Sequence, residues 1–231
     1  GLTQTHQNNM GAFGGPDIVE GGLVFAIDPG SQRCYDGTTT INSLVGSNTG
    51  TLNNGVTYQS INGGVFDFDG VDQNISISTS SIPAGNQITI DFWNNGDNFV
   101  ASSIIAASAS TNQDLNIHLP WSNKNIYWDC GSPFNRIQKL ATDAEILGWH
   151  HWVFTKNATA GTMKIYLDGV LWHSGTSLTG AIPTMTKAFI GSFFNNNVYH
   201  NGQIAHCFIY NVSLTATEVL QNYNALKNRF I

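Results

Sequence analysis

Gly148-Trp-His-His-Trp-Val-Phe-Thr155, followed by Met163-Lys-Ile-Tyr-Leu-Asp-Gly-Val-Leu-Trp-His173, decides the fold of this chain. Side chains alternate along a strand, so His150, Trp152 and Phe154 share one face and His151, Val153 and Thr155 the other. Bulky residues in both phases predict a strand inside a packed sandwich. From Met163, the phase Met163, Ile165, Leu167 against Lys164, Tyr166, Asp168 predicts a half-buried strand. Asp168-Gly169 supplies the positive φ at both central positions that a two-residue type I′ hairpin demands, and Val170 to His173 returns antiparallel.

Outward from this segment the pattern repeats. Strands are expected at Gly22–Asp28, Gly64–Gly70, Asn74–Ser78 and Gln87–Trp93, where Ile88, Ile90 and Phe92 share a face. Further strands are expected at Ser103–Ala107, Leu115–Leu119, Asn125–Asp129 and Lys187–Gly191. Asn42 to Gly55 reads as a loop with a turn at Asn54-Gly55. No helical-period segment intervenes between the strands, which predicts a sandwich rather than α/β units. One helix is specified at the C-terminus. Thr215 and Glu218 make a capping box, Leu214 staples to Val219, and Val219, Leu220, Tyr223 and Leu226 form an apolar stripe expected to lie against the sandwich edge.

A chain of 231 residues fits one large all-β domain. The division expected is an arm over residues 1 to 21, broken by Gly11, Gly14, Gly15 and Pro16, and a domain over 22 to 231. Only 10% of residues are charged, so amide and hydroxyl groups must make up the polar surface. Nine scattered Lys and Arg at a net charge of −6 argue against nucleic acid. No run of apolar residues predicts membrane insertion, and the first residues lack the pattern of a signal peptide. Cys34, Cys130 and Cys207 have neither metal spacing nor an even count, and Cys207 reads as a small core residue.

Taken together these segments resemble the laminin-G-like, concanavalin A-like jelly-roll family. The resemblance is carried by Gly22-Leu-Val-Phe-Ala-Ile-Asp28, Phe66-Asp-Phe-Asp-Gly-Val-Asp72, Gly148-Trp-His-His-Trp-Val-Phe154, Tyr166-Leu-Asp-Gly169 and Gly202-Gln-Ile-Ala-His-Cys-Phe-Ile-Tyr-Asn211. The fold it implies is a jelly-roll β-sandwich with an N-terminal arm and a short C-terminal helix. A narrower resemblance lies at the two ends. Met10-Gly-Ala-Phe-Gly-Gly-Pro-Asp-Ile-Val19 and Val219-Leu-Gln-Asn-Tyr-Asn-Ala-Leu-Lys-Asn-Arg-Phe230 look like structural proteins of tailed bacteriophages, particularly marine and cyanobacterial ones. That likeness implies a virion protein made in the host cytoplasm, a capsid decoration or tail appendage. It would be homo-oligomeric on the particle and dock on capsid or tail proteins through Met10, Phe13, Pro16 and Ile18. A secreted carbohydrate-binding module is the alternative, and a polysaccharide lyase or glycoside hydrolase the next.

The catalytic alternative makes demands on the sequence. Glycosidases need paired carboxylates, and the Glu-x-Asp-x-x-Glu strand of laminarinase-like relatives is absent. Glu20, Glu145 and Glu218 fall in an arm, a loop and a helix cap. The Arg, Gln, His and Tyr set of alginate-lyase-like jelly rolls is met only by Gln113, His118 and Tyr127, without the expected spacing. No catalytic residue is assigned. Adjacent His150 and His151 point to opposite faces and cannot chelate one ion together, and His173 lies two strands away. Asp67, Asp69 and Asp72 offer three carboxylates to calcium, against a simple Asp-Gly turn; no other cofactor is expected. Trp121, Trp128, Tyr199 and Asn196 are the candidates for glycan contact, with Trp172 a further possible stacking platform.

Overall fold

The computed structural model describes residues 17–97, 99–110, 114–194 and 197–231. The strands in chain order are β1 (Leu23–Ile27), β2 (Thr40–Asn42), β3 (Thr49–Asn53), β4 (Thr57–Gln59), β5 (Val65–Asp69), β6 (Asn74–Ile77), β7 (Gln87–Gly96) and β8 (Ser103–Ser108). They continue as β9 (Leu115–His118), β10 (Asn125–Cys130), β11 (Arg136–Leu140), β12 (Gly148–Asn157), β13 (Thr162–Leu167), β14 (Val170–Gly175), β15 (Lys187–Ile190) and β16 (Asn201–Tyr210). Helix α1 (Asp143–Ile146) precedes β12, and α2 (Ala216–Leu226) follows β16. None of these helices is long and apolar enough to cross a membrane.

The strands form two antiparallel sheets. The first runs β14-β13-β12-β7-β16-β5-β4, with β1 also paired to β16. The second runs β11-β10-β9-β8-β15-β6-β3-β2. The segment from Gly148 to His173 forms one end of the first sheet, with β14 at the edge and β12 inside: β12 pairs along its whole length with β7, from Gly148 opposite Gly96 to Asn157 opposite Gln87. Asp168 and Gly169 have φ of 50° and 80°, as the I′ turn requires. The Asp168 carboxylate then accepts from His150 Nδ1 and the His151 amide at 2.8 and 2.9 Å, so the turn also fixes β12.

Both phases of β12 are buried, for different reasons. Trp152 and Phe154 face the space between the sheets, among Phe92, Ile90, Trp128, Ile105 and Ile117. His151 and Val153 face outward, where α2 and the segment around Ile18 form a second core with Trp93, Tyr166, Phe208 and Tyr210. The helix therefore lies across the outer face of the first sheet, not at its edge. Its capping box is present, with Thr215 Oγ1 accepting from the Glu218 amide and the Glu218 carboxylate accepting from the Thr215 amide. Tyr223 and Phe230 stack on Trp93 at 5.8 and 4.3 Å between ring centres.

Two further expectations change. The span Asn42 to Gly55 is not a single loop: it holds β3, a short edge-side strand paired with β2 and β6. Ile18 and Val19 are buried in the second core, and the Val19 amide donates to Asn222 Oδ1 at 2.8 Å. Ile18 is thus packed against its own domain rather than presented for docking. Met10, Phe13 and Pro16 lie outside the described residues.

Candidate functional site

The two sheets differ on their outer faces. Alternation along β9 and β10 turns Leu115, Ile117, Ile126, Trp128 and Cys130 into the core. The opposite phase, Asn116, His118, Tyr127 and Asp129, faces outward. Asp129 lies directly opposite Arg136 of β11, and its two oxygens accept from Arg136 Nε and Nη2 at 2.5 and 2.8 Å. This cross-strand fork holds the guanidinium over the Tyr127 ring, 4.7 Å from its centre. Arg136 keeps its proton more firmly than usual, chiefly through that bond to Asp129.

Two loops raise walls around this patch. In the β9–β10 connection the Trp121 amide donates to the Asn125 carbonyl, and Asn123 Nδ2 donates to the Tyr127 hydroxyl at 3.0 Å. The β15–β16 connection folds on itself through the Phe193 amide and the Val198 carbonyl. The result is a pocket of about 300 Å³ lined by His118, Trp121, Tyr127, Arg136, Phe193, Asn197 and Val198. That volume is at the lower end for small-molecule sites and suits one or two rings. The His118 imidazole lies 4.4 Å from the Trp121 ring and 5.7 Å from Phe193.

His118 has a defined state. Its Nδ1 is 3.0 Å from the Ser102 carbonyl, which can only accept, so Nδ1 carries the proton and Nε2 the lone pair. Burial pulls the imidazole down to about 4; the Ser102 bond opposes this, and Arg136 adds to it. At neutral pH the ring is therefore an uncharged acceptor. Ser102 also ties in His200, whose Nδ1 lies 2.8 Å from Ser102 Oγ, and which burial pulls down to about 3.

Residues 69–220 match the family model of the concanavalin A-like lectin/glucanases superfamily, laminin-G type 3. The chain belongs to this superfamily. No curated protein sequence matches it. Among solved structures it resembles the binding domain of botulinum neurotoxin serotype G, at 16% identity and a TM-score of 0.69, covering 87% of this chain and 50% of that one. The serotype D ligand-binding domain in complex with N-acetylneuraminic acid gives 13% identity and a TM-score of 0.68, with 87% and 50% covered. The binding domain of neurotoxin DC in complex with rat synaptotagmin II gives 16% and 0.68, with 89% and 52% covered. The chain spans about half the length of these structures, and the likeness is one of fold.

The superfamily name covers both lectins and glucanases, so the carboxylates matter. None of the described residues lining the pocket is Asp or Glu. Glu145 lies in α1, not in a loop, and its carboxylate accepts from Thr142 and from Trp172 Nε1. Glu218 caps α2. The lyase-type residues fare differently: His118 and Tyr127, together with Arg136, do meet in the pocket. Gln113 lies outside the described residues.

Of the proposed glycan contacts, Trp121 lines the pocket. Trp128 does not: it is fully buried between the sheets, with Nε1 donating to the Thr155 carbonyl at 3.1 Å. The alternation of Tyr127 and Asp129 against Ile126 and Trp128 carried that information. Trp172 packs edge-on against Trp152 and is bridged to Glu145. Tyr199 follows Val198 in the wall loop without lining the pocket, and Asn196 lies outside the described residues. Arg136 and Phe193 are site residues that sequence reading passed over.

The calcium set is also corrected. Asp67 accepts from Gln59 Nε2, and Asp69 Oδ1 accepts from the Val71 amide in an Asx turn. Asp72 contributes its backbone carbonyl, to Asn54 and Asn74. The three carboxylates do not gather at a point; the one gathering of that kind among the described residues is Asp91, His151 and His206, with ligand atoms within 4.8 Å of one another. His151 Nε2 and His206 Nε2 lie 2.8 and 3.3 Å from Asp91 Oδ1, and Asn222 Nδ2 donates to Asp91 Oδ2 at 2.8 Å. Burial would raise the Asp91 carboxyl, but the charge and hydrogen bonds of His151 and His206 hold it well below the carboxylate range. Metal-bound imidazoles ordinarily donate their second nitrogen to an acceptor, whereas Nδ1 of both His151 and His206 is buried without a partner. The cluster instead acts as a hydrogen-bonded clamp, joining α2 to the sheet through the Asn222 bond to Asp91.

Proposed function

We propose that this chain is a non-catalytic, lectin-like recognition domain that holds a sugar in the pocket between Trp121 and Arg136. One observation carries the reading. Aromatic walls face a fixed neutral acceptor, His118, and a guanidinium donor, with no carboxylate among the described lining residues. An aromatic face suits the C–H face of a pyranose, and a few placed polar groups orient its hydroxyls. Superfamily membership supports it, as does the serotype D neighbour crystallised with N-acetylneuraminic acid.

The catalytic alternatives fit less well. Hydrolysis lacks its carboxylate pair at the pocket. A lyase needs a base with a pKa near the working pH, whereas burial draws His118 down to about 4.

The virion role stands beside this reading as a proposal from the resemblance at the chain ends. The domain would be displayed on a capsid or tail appendage as a homo-oligomer, with residues 1–16 reaching the neighbouring subunits. A secreted binding module would use the same pocket. Deleting residues 1–16 separates the two: particle incorporation is expected to fall, while glycan binding on an array is unchanged. Deletion to residue 20 would also remove Ile18 and Val19 from the second core. Trp121→Ala tests the pocket itself, with loss of array binding expected and retained binding contradicting the reading.

A further inference from the structure

We infer that the pocket favours carboxylate-bearing sugars, uronates or sialates, over their neutral counterparts, with Arg136 and Tyr127 meeting the carboxylate and His118 a ring hydroxyl. The inference rests on the glycan-binding reading and adds the class of sugar.

Arg136 carries it. A guanidinium holds five N–H donors in one plane. Asp129 takes the Nε and Nη2 side at 2.5 and 2.8 Å, and its own side chain is fully buried. The Nη1/Nη2 edge keeps three donors, and no described residue takes them. The side chain is 37% exposed and lines the pocket, so this edge is open to a ligand. Two of the three donors are parallel, at the spacing that grips both oxygens of a carboxylate, whereas a single hydroxyl meets them one at a time. Bonds to an ionised acceptor are also roughly twice as strong as bonds to a neutral one. Asp129 already balances the guanidinium charge, so the preference comes from these directed bonds at close range and not from attraction at a distance. The buried partner also holds the fork in place, which lowers the cost of ordering it when a ligand arrives.

The other lining groups complete the match. Tyr127 lies under the guanidinium, on the same wall. Its oxygen accepts from Asn123 Nδ2, so the phenolic proton remains to donate. None of the described lining residues is Asp or Glu, so no carboxylate of the pocket wall opposes an incoming one. His118 Nε2 needs a donor, because the Ser102 carbonyl fixes the proton on Nδ1. Acidic and neutral sugars both supply a hydroxyl there, so His118 orients the ring and leaves the selection to Arg136 and Tyr127. A neutral pyranose uses the same aromatic wall and binds more weakly.

The test uses the full chain at neutral pH, where the acids are ionised. Calorimetry compares the methyl glycosides of glucose, galactose and mannose with the corresponding methyl glycosiduronates, and the methyl glycoside of N-acetylneuraminic acid with its methyl ester. At least one acid is expected to bind roughly tenfold more tightly than its neutral partner, and the acid that does so separates a uronate site from a sialate site. Arg136→Lys keeps a cation beside Asp129 but lacks the fork, and is expected to bring the ratio toward one. Tyr127→Phe, which deletes the hydroxyl alone, is expected to lower it by roughly threefold. Both variants are checked for folding by circular dichroism, and the acid-to-neutral comparison in the unsubstituted protein needs neither. Neutral partners that all bind as tightly as their acids overturn the inference while leaving glycan recognition in place. Failure of every probe to bind, acidic and neutral, overturns the glycan reading and the inference with it.

Discussion

The two outer faces of the sandwich carry similar chemistry in opposite settings. On the first sheet, Asp91, His151 and His206 are sealed beneath α2, Tyr223 and Phe230. On the second, Arg136 and His118 line a pocket, with Asp129 buried beside Arg136. In both, a buried carboxylate is satisfied by neighbours on adjacent strands. What separates clamp from site is the cover: α2 crosses one face, while two loops rim the other and leave it accessible. Polar groups on a sheet face thus stabilise or recognise according to whether anything lies on top of them.

Removing one partner from the sealed face should have the largest effect. Asp91→Ala strands His151, His206 and Asn222 without their common acceptor, and a loss of about 3–5 kcal/mol in urea unfolding is expected. Stability unchanged within 1 kcal/mol would mean that the clamp does not hold the helix. Acid comes next. His118 and His200 take up protons near 6.5 when unfolded, but only at about 4 and about 3 when folded. Their contribution is therefore complete above 6.5 and is lost as pH falls toward those values, by about 2–3 kcal/mol for His118 alone. The depressed Asp91 adds a loss below the carboxylate range, of the same sign. Thermal melts should show this acid limb, and His118→Gln should make it shallower.

On the open face the effects move from stability to binding. Trp121→Ala is expected to weaken glycan binding by at least about tenfold, near 1.4 kcal/mol, while the unfolding free energy stays within about 1 kcal/mol. A large stability loss would make Trp121 a packing residue. Thr215→Ala, which breaks the box that starts the covering helix, should cost about 1 kcal/mol and leave sugar binding untouched.

The fold was legible where alternation is strong and the core is deep. The β12 to β14 segment, β7 and the capping box of α2 could be read directly, because their apolar residues repeat at the period of their elements. Strands β2, β3, β4 and β11 were not legible, and β16 entered only through the family resemblance of Gly202–Asn211. Thr49-Gly-Thr-Leu-Asn53 and Arg136-Ile-Gln-Lys-Leu140 each place few apolar residues in the core and expose the rest, which looks like a loop. Missing β11 hid Arg136, and with it the site. His118 and Tyr127 were visible as residue types, but only the pairing of β9, β10 and β11 brings them together with Arg136. The clamp was hidden for a related reason: Asp91 sits between Ile90 and Phe92, and only the helix above makes its phase a buried one.

The central claim is most directly tested by nuclear magnetic resonance with the indole N–H signals of the six tryptophans assigned. Titration with a neutral methyl glycoside is expected to shift the Trp121 indole and leave the buried Trp128 and Trp152 unmoved. Binding that shifts another indole while Trp121 stays still, or no shift at any concentration, would contradict it.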